Sequence, residues 1–87
     1  MELKSLELSY NQLTSLDVNN NIALQYLGCN ANDFPDLDIS QNTQLTFIRA
    51  SSNNFSSIDL SNNILLELLE ADHNLFTNID LSNNPEL

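Results

Sequence analysis

Positive charge is the scarcest property of this sequence. Only Lys4 and Arg49 oppose twelve acidic residues, which gives the 87-residue chain a formal net charge of −10. A surface of this charge repels phosphate backbones and anionic lipid, so nucleic acid and membrane surfaces are disfavoured as partners. The charge promotes solubility, while its self-repulsion lowers the stability of the folded chain.

Long hydrophobic runs are also missing. No run approaches the roughly 18 apolar residues that a transmembrane helix needs, so we expect no membrane insertion. Met1 and Glu2 lead directly into a repeated pattern that starts at Leu3, and this start does not resemble a signal peptide.

Cysteine occurs only once, as Cys29. A single cysteine cannot form an intramolecular disulfide, and it carries no information about the redox compartment. The equivalent positions of the repeat hold Leu8, Ala50 and Ala71. We therefore expect a buried, unreactive thiol.

What the sequence does contain is one 21-residue unit, repeated four times without a gap. The first unit opens with the pattern Leu3-x-x-Leu6-x-Leu8-x-x-Asn11-x-Leu13, and the others follow it. A strict period of this kind is typical of a solenoid, in which each coil buries its apolar face against its neighbours. We assign residues 1–87 to a single repeat domain whose units are 3–23, 24–44, 45–65 and 66–86, and Leu87 starts a fifth unit.

Local alternation predicts the secondary structure of each unit. Segments such as Leu6-Glu7-Leu8 alternate apolar and polar residues, which indicates a strand with one buried face. Four such strands are expected to stack in parallel about 4.8 Å apart. The second half of the unit, for example Leu16-Asp17-Val18, is too short and too β-branched for a regular helix. We expect it to be extended or to form one turn of 3₁₀-helix, with little or no α-helix anywhere.

These units resemble the leucine-rich repeat over residues 3–87. The second half of the unit, with the phrase Leu-Asp-Ile-Ser at 37–40 and Ile-Asp-Leu-Ser at 58–61 and 79–82, is similar to the repeats of bacterial surface and internalin-type proteins. The resemblance implies a leucine-rich repeat solenoid of the α/β-horseshoe class, a right-handed coil with a short parallel sheet on its concave, commonly ligand-binding face. It also implies protein binding rather than catalysis.

Two columns of asparagine are expected to be structural. An amide at the corner after each strand can both donate to and accept from the backbone groups that the bend leaves unpaired, and it can connect one coil to the next. The first column consists of Asn11, Asn32, Asn53 and Asn74, and the second of Asn21, Asn42, Asn63 and Asn84. A column of large apolar residues, Leu13, Phe34, Phe55 and Phe76, is expected to stack inside the coil.

A column of aspartates allows two interpretations, because like charges about 4.8 Å apart repel one another. Each carboxylate could accept a hydrogen bond from the backbone N–H two residues later, as in an Asx-turn. Alternatively, neighbouring carboxylates could share a cation such as Ca²⁺, which takes about 6–8 oxygen ligands. The chain has one glycine and lacks the glycine-rich loop of calcium-binding repeats. The column consists of Asp17, Asp38, Asp59 and Asp80.

A catalytic site is not expected. His73 is the only histidine, and it stands beside Asp72 with Ser51 and Ser52 on the adjacent coil. A serine, histidine and aspartate are therefore near one another, but a flat strand face supplies neither a pocket nor an oxyanion hole. We predict no enzymatic activity and no cofactor.

The variable residues of the strands define the expected ligand-binding face. Tyr26, Phe47 and Leu68 would place three large apolar groups on an outward face of a charged protein, which commonly marks an interaction site. Two alternatives are that a segment outside this chain covers them or that they form a cross-strand ladder that only stabilises the sheet. Gly28 would let a ligand approach the backbone closely. The predicted binding set is Tyr26, Phe47, Leu68, Glu7, Arg49, Glu70 and Asp72, with Arg49 paired to Glu70.

These observations favour a protein- or peptide-binding module of a larger surface or secreted bacterial protein. Solenoids ordinarily end in capping units with a polar outer face, and neither Met1-Glu2 nor Pro85-Glu86-Leu87 resembles one. We therefore expect a fragment without caps. The alternative is a structural segment that associates end to end with further copies of itself, because its two open ends share one cross-section.

Overall fold

The computed structural model describes residues 2–87 and shows four stacked coils. Each coil contributes one three-residue strand: β1 (Ser5–Glu7), β2 (Tyr26–Gly28), β3 (Phe47–Arg49) and β4 (Leu68–Glu70). The strands form one parallel sheet in the order β1-β2-β3-β4. No helix is present in this part of the chain, and hence none that could cross a membrane. The predicted repeat solenoid with a parallel sheet is confirmed.

The register of the sheet follows the sequence period. Tyr26 pairs with Phe47, and Phe47 pairs with Leu68, so equivalent residues of successive repeats lie side by side. The residues between them alternate to the inner face, where Leu27 and Ile48 are fully buried. Because every coil presents the same apolar inner face, the core is a continuous column rather than a single cluster.

A tight corner follows each strand. The residue there has a positive φ in all four coils although it is not glycine: Tyr10, Ala31, Ser52 and His73 have φ of 62°, 57°, 58° and 54°. This left-handed conformation costs an L-residue roughly 1–2 kcal/mol. The asparagine that follows each of these residues hydrogen-bonds across the corner and holds it in place.

Asn53 shows how the first asparagine column connects the coils. Its amide nitrogen donates to the carbonyl of Cys29 in the preceding coil at 2.9 Å, and to Ala50 and Ser51 in its own coil at 3.3 and 3.2 Å. Its Oδ1 accepts from the backbone N–H of Phe34 at 3.1 Å. Asn32 and Asn74 make the equivalent contacts in their coils.

The return side of each coil is irregular. No 3₁₀-helix occurs between residues 2 and 87, so that alternative for Leu16-Asp17-Val18 and its equivalents is wrong. Instead, two successive turns carry the chain back to the next strand, closed by bonds such as Asn21 N–H to Val18 C=O and Leu24 N–H to Asn21 C=O. The second asparagine column lies at the junction of these turns, and Asn42 donates to the carbonyls of Val18 and Asn21 at 2.9 Å.

The phenylalanine column forms the predicted spine. Phe34 and Phe55 stack with ring centroids 6.4 Å apart and planes inclined by 14°, and Phe55 and Phe76 stack at 6.3 Å and 12°. Phe34 and Phe55 are fully buried, whereas Phe76 in the last coil is only partly covered. Each phenylalanine ring therefore stacks on a ring from an adjacent coil, and such stacking adds to the stabilisation that the buried area alone provides.

Candidate functional site

The solvent-facing side of the sheet, which we call the outer sheet face, carries the residues that differ between repeats. Its apolar row consists of Tyr26, Phe47 and Leu68, which lie side by side on adjacent strands and are each partly buried. The charged residues two positions later, Glu7, Arg49 and Glu70, lie in the neighbouring row with Gly28. The structure thus brings together the side chains that the sequence assigns to one surface.

Gly28 does not leave open backbone for a ligand, and this expectation is wrong. The Tyr26 hydroxyl donates a hydrogen bond to Glu7 Oε2, and this pair lies over the glycine. A Cβ at position 28 would overlap both the Glu7 carboxylate and the Tyr26 hydroxyl. Gly28 is itself buried, so its missing side chain makes room for a contact within the protein.

Glu7 is held by two neighbours. Both the backbone N–H and the hydroxyl of Ser9 donate to its Oε1, and Tyr26 donates to its other oxygen. These hydrogen bonds, first that of Ser9 and then that of Tyr26, lower the pKa of Glu7 below its ordinary value. The bond to the carboxylate in turn raises the pKa of Tyr26 above the ordinary value of a phenol. The group is therefore a fixed carboxylate at neutral pH rather than a proton donor.

Arg49 carries the only guanidinium of the chain and lies at the centre of the outer sheet face. Its Nε is 3.8 Å from Glu70 Oε2, and both side chains are about two-fifths exposed. Its Cζ lies 5.9 Å from the centroid of the Tyr26 ring, within the range of a cation–π contact. The predicted pairing with Glu70 is present in the geometry, and such an exposed pair contributes less than about 1 kcal/mol.

A third row of polar side chains continues across the ends of the strands. The Asn30 N–H donates to Ser9 Oγ at 3.1 Å, and the Ser51 N–H donates to Asn30 Oδ1 at 2.8 Å. The Ser51 hydroxyl donates to Asp72, which lowers the pKa of that carboxyl. This polar row therefore crosses all four coils and has a carboxylate at each end. Glu7 accepts from Ser9 in the first coil, and Asp72 accepts from Ser51 at the last.

Tyr10 also borders the outer sheet face, although the repeat pattern did not assign it to this surface. It occupies the left-handed corner of the first coil, and 83% of it is exposed. It borders a shallow open depression of about 370 Å³ that is lined by Glu7, Ser9, Tyr10, Tyr26, Asn30 and Arg49. The sequence did contain a signal for this residue, because the equivalent position holds alanine or serine in the next two repeats.

The serine, histidine and aspartate near the end of β4 are not arranged as a catalytic triad. Ser51 donates to Asp72 rather than to the histidine, so the histidine is not placed to take its proton. His73 Nε2 lies 3.6 Å from Asp72 Oδ2, and 77% of its side chain is exposed. The serine–histidine contact that a catalytic triad requires is therefore not formed by Ser51, His73 and Asp72.

The aspartate column makes the Asx-turns of the first interpretation. Asp17, Asp38, Asp59 and Asp80 each accept from the backbone N–H two residues later at 2.9–3.0 Å. Hydrogen bonds from the serine hydroxyls lower the pKa of Asp38, Asp59 and Asp80. Along residues 2–87, no three side chains of aspartate, glutamate, histidine or cysteine come together as a metal site.

Cys29 lies in the core between the coils. It is fully buried, and this burial raises the pKa of its thiol to about 12. A thiol with so high a pKa holds almost no thiolate at neutral pH, which is the form that reacts. Cys29 therefore packs as a small apolar side chain.

We expect the Tyr26–Glu7 hydrogen bond to be visible in a titration of the phenol. With Tyr10→Phe as the background, Tyr26 is the only tyrosine, and Glu7→Gln should lower its pKa toward the ordinary value because a neutral amide is a weaker acceptor. The ultraviolet absorbance of the phenolate measures this directly. Glu67→Gln removes the same charge from the fourth coil and should leave the titration unchanged; equal curves for all three proteins would contradict the contact.

The sign of the pH dependence follows from the two shifted groups. The pKa of Tyr26 is raised in the folded state, so its contribution to stability is complete below the ordinary phenol pKa and is lost as pH rises through the raised value. The pKa of Glu7 is lowered, so its contribution is complete above the ordinary carboxyl pKa and is lost as pH falls through the lowered value. The contact is thus strongest between the two transitions.

Comparison with known proteins identifies one informative structural neighbour. No protein-family model matches the chain. No curated protein matches it either. Among solved structures, the functional domain of InlJ from Listeria monocytogenes, which includes a cysteine ladder, matches with a TM-score of 0.68 at 24% sequence identity. The match covers 98% of the present chain and 24% of the neighbour's chain, so the present chain spans about a quarter of that domain's length. At this identity the likeness shows the fold.

Proposed function

Because the chain folds as a leucine-rich repeat solenoid, we propose that it is a non-catalytic protein-recognition module. The ligand is a protein or peptide that binds the outer sheet face, which is the concave face of such a coil. The module belongs to a larger bacterial protein that is secreted or displayed at the cell surface. The structural likeness to the functional domain of InlJ from Listeria monocytogenes, whose chain is about four times as long, supports this setting.

The apolar row on the outer sheet face is the observation that carries the proposal. Tyr26, Phe47 and Leu68 occupy consecutive register positions and keep part of their surface in solvent. Contiguous apolar groups bordered by charge are typical of interaction sites, and tyrosine and arginine are frequent among the residues that dominate binding energy. Both residue types meet here, since Arg49 lies over the Tyr26 ring.

The polar groups around this row support recognition rather than chemistry. Glu7 and Asp72 already accept hydrogen bonds from neighbouring side chains, which fixes their positions. Fixed charges favour binding because less side-chain entropy is lost when a partner docks. Leucine-rich repeat folds are generally non-enzymatic, which also supports recognition.

A displayed library of random peptides tests the proposal without knowledge of the natural partner. Peptides selected for binding to the parent chain should no longer bind the variant Tyr26→Ala/Phe47→Ala. They should still bind Asp38→Asn/Asp59→Asn, which changes the opposite side of the coil. Equal retention by the apolar-row variant and the parent would contradict the proposal.

The open ends of the coil favour end-to-end self-association as a second candidate. Leu3 and Leu81 are 39% and 42% exposed, whereas their equivalents in the other coils are at most 2% exposed. A second copy stacked on either end would bury these side chains and extend the parallel sheet. Sedimentation velocity should then show an average molecular mass that rises with protein concentration. At the same concentration, this mass should be lower for Leu81→Glu than for the parent chain. A monomer at all concentrations would reject this candidate.

A further inference from the structure

We propose that the outer sheet face recognises a short, extended, positively charged peptide segment that carries apolar residues between its basic ones. This inference rests on the proposed recognition function and specifies the chemistry of the partner. It combines the size of the face, the position of its apolar row and the distribution of its charges.

The face is narrow along its strands, which suits one extended segment that lies across them. Each strand has three residues and is therefore about 10 Å long, and a spacing of about 4.8 Å places the first and the fourth strand about 14 Å apart. An extended peptide of about seven residues is long enough to cross these four strands.

The apolar row fixes the track of the segment. Phe47 and Leu68 are adjacent on β3 and β4, and Tyr26 continues the row onto β2. The first strand has Ser5 at this position, so the apolar contact is confined to the second, third and fourth coils. A peptide that crosses the strands can place one or two apolar side chains on this row.

The charges at the two ends of the face favour a positively charged partner. Glu7 ends β1, Glu70 ends β4 and Asp72 follows two residues later, so carboxylates border the apolar row on both sides. Arg49 is the only cation among the strands, and Glu70 lies against it. The chain as a whole carries a net charge of −10, so the long-range field also draws in a basic partner and repels an acidic one.

Three fluorescent heptapeptides test this proposal by anisotropy. The first alternates lysine and leucine, the second alternates glutamate and leucine, and the third alternates lysine and serine. We expect the first to bind, with affinity that falls as sodium chloride is raised, because the carboxylates are exposed to solvent. The second and third should bind at least about tenfold more weakly, since each lacks one of the two contributions.

Two charge variants locate the binding. Glu70→Gln/Asp72→Asn should weaken binding of the lysine–leucine peptide by about three- to tenfold. Asp38→Asn/Asp59→Asn removes the same two charges from the aspartate column and should change the affinity by less than about twofold, because salt screens remote charges. Equal weakening by both pairs would show attraction to net charge alone and would overturn the proposal.

The remaining outcomes separate this inference from the recognition function itself. If the glutamate–leucine peptide binds as tightly as the lysine–leucine peptide, and Tyr26→Ala/Phe47→Ala abolishes the binding, the basic partner is wrong while recognition by this face stands. If Tyr26→Ala/Phe47→Ala leaves the binding of every peptide unchanged, both proposals fail. Circular dichroism of each variant establishes that the coil is folded before binding is compared.

Discussion

Replacing Asn53 by alanine is expected to lower the melting temperature by about 8–32 °C, at the usual 4–8 °C for each kcal/mol in a domain of this size. Asn53 is 7% exposed, and its Oδ1 is the acceptor for the buried N–H of Phe34. Its three carbonyl acceptors each keep another donor, for example Asn32 on Cys29. The cost therefore arises chiefly from the unpaired Phe34 N–H and the lost contacts between coils, together about 2–4 kcal/mol.

Asn11→Ala is the matched control. Asn11 belongs to the same column but lies in the first coil, where it is exposed and donates only to Leu8 and Ser9 of its own coil. Its loss should cost at most about 1 kcal/mol, the net value of an exposed hydrogen bond. Thermal melts followed by circular dichroism compare the two variants. If Asn53→Ala has the same melting temperature as the wild type, or if both variants lower it equally, the hydrogen bonds that Asn53 makes between coils do not stabilise the fold.

The fold could be predicted from the sequence because its information is repeated. One ambiguous strand signal such as Leu6-Glu7-Leu8 has little weight, but four copies in register allow only a stacked parallel arrangement. The same repetition revealed which columns turn inward, including the phenylalanine spine. Periodicity thus determines which way a side chain faces, since a residue and its equivalents occupy the same position in every coil.

The corner and the return side could not be predicted in the same way. Tyr10, Ala31, Ser52 and His73 are chemically unlike one another, and none is the glycine that a left-handed corner normally indicates. The two asparagine columns also look alike in sequence, yet Asn53 uses both ends of its amide while the Oδ1 of Asn63 is buried without a protein partner. These differences depend on three-dimensional geometry that no single repeat encodes.

The outer sheet face was predictable as a set of positions but not as a set of contacts. Alternation places Tyr26, Glu7 and Gly28 on one side of the sheet, and it cannot show that the first two meet above the third. That contact depends on the rotamers of long side chains on adjacent strands. The glycine therefore suggested that a ligand could approach the backbone, whereas the Glu7 carboxylate and the Tyr26 hydroxyl occupy that space.

Phe55→Ala is expected to have the largest effect of any single substitution. Phe55 is fully buried between Phe34 and Phe76, and truncation of such a core ring costs about 3–5 kcal/mol. An 87-residue domain has a total stability of about 4–13 kcal/mol, so the variant is expected to lose a large part of it. The substitution also weakens the packing of the third coil against both the second and the fourth coil, and each coil is stabilised only by its neighbours.

Two further substitutions show whether the spine acts through stacking or merely through volume. Phe76→Ala removes a ring with one stacked neighbour and partial exposure, so urea denaturation should show a smaller loss, about 1–3 kcal/mol. Phe55→Leu keeps most of the apolar volume, and leucine already fills this column at Leu13, so the loss should be about 1–2 kcal/mol. A loss for Phe55→Ala no greater than that for Phe76→Ala would contradict the neighbour-dependent spine. In that case the coils would be coupled chiefly by their asparagine columns and strand pairing.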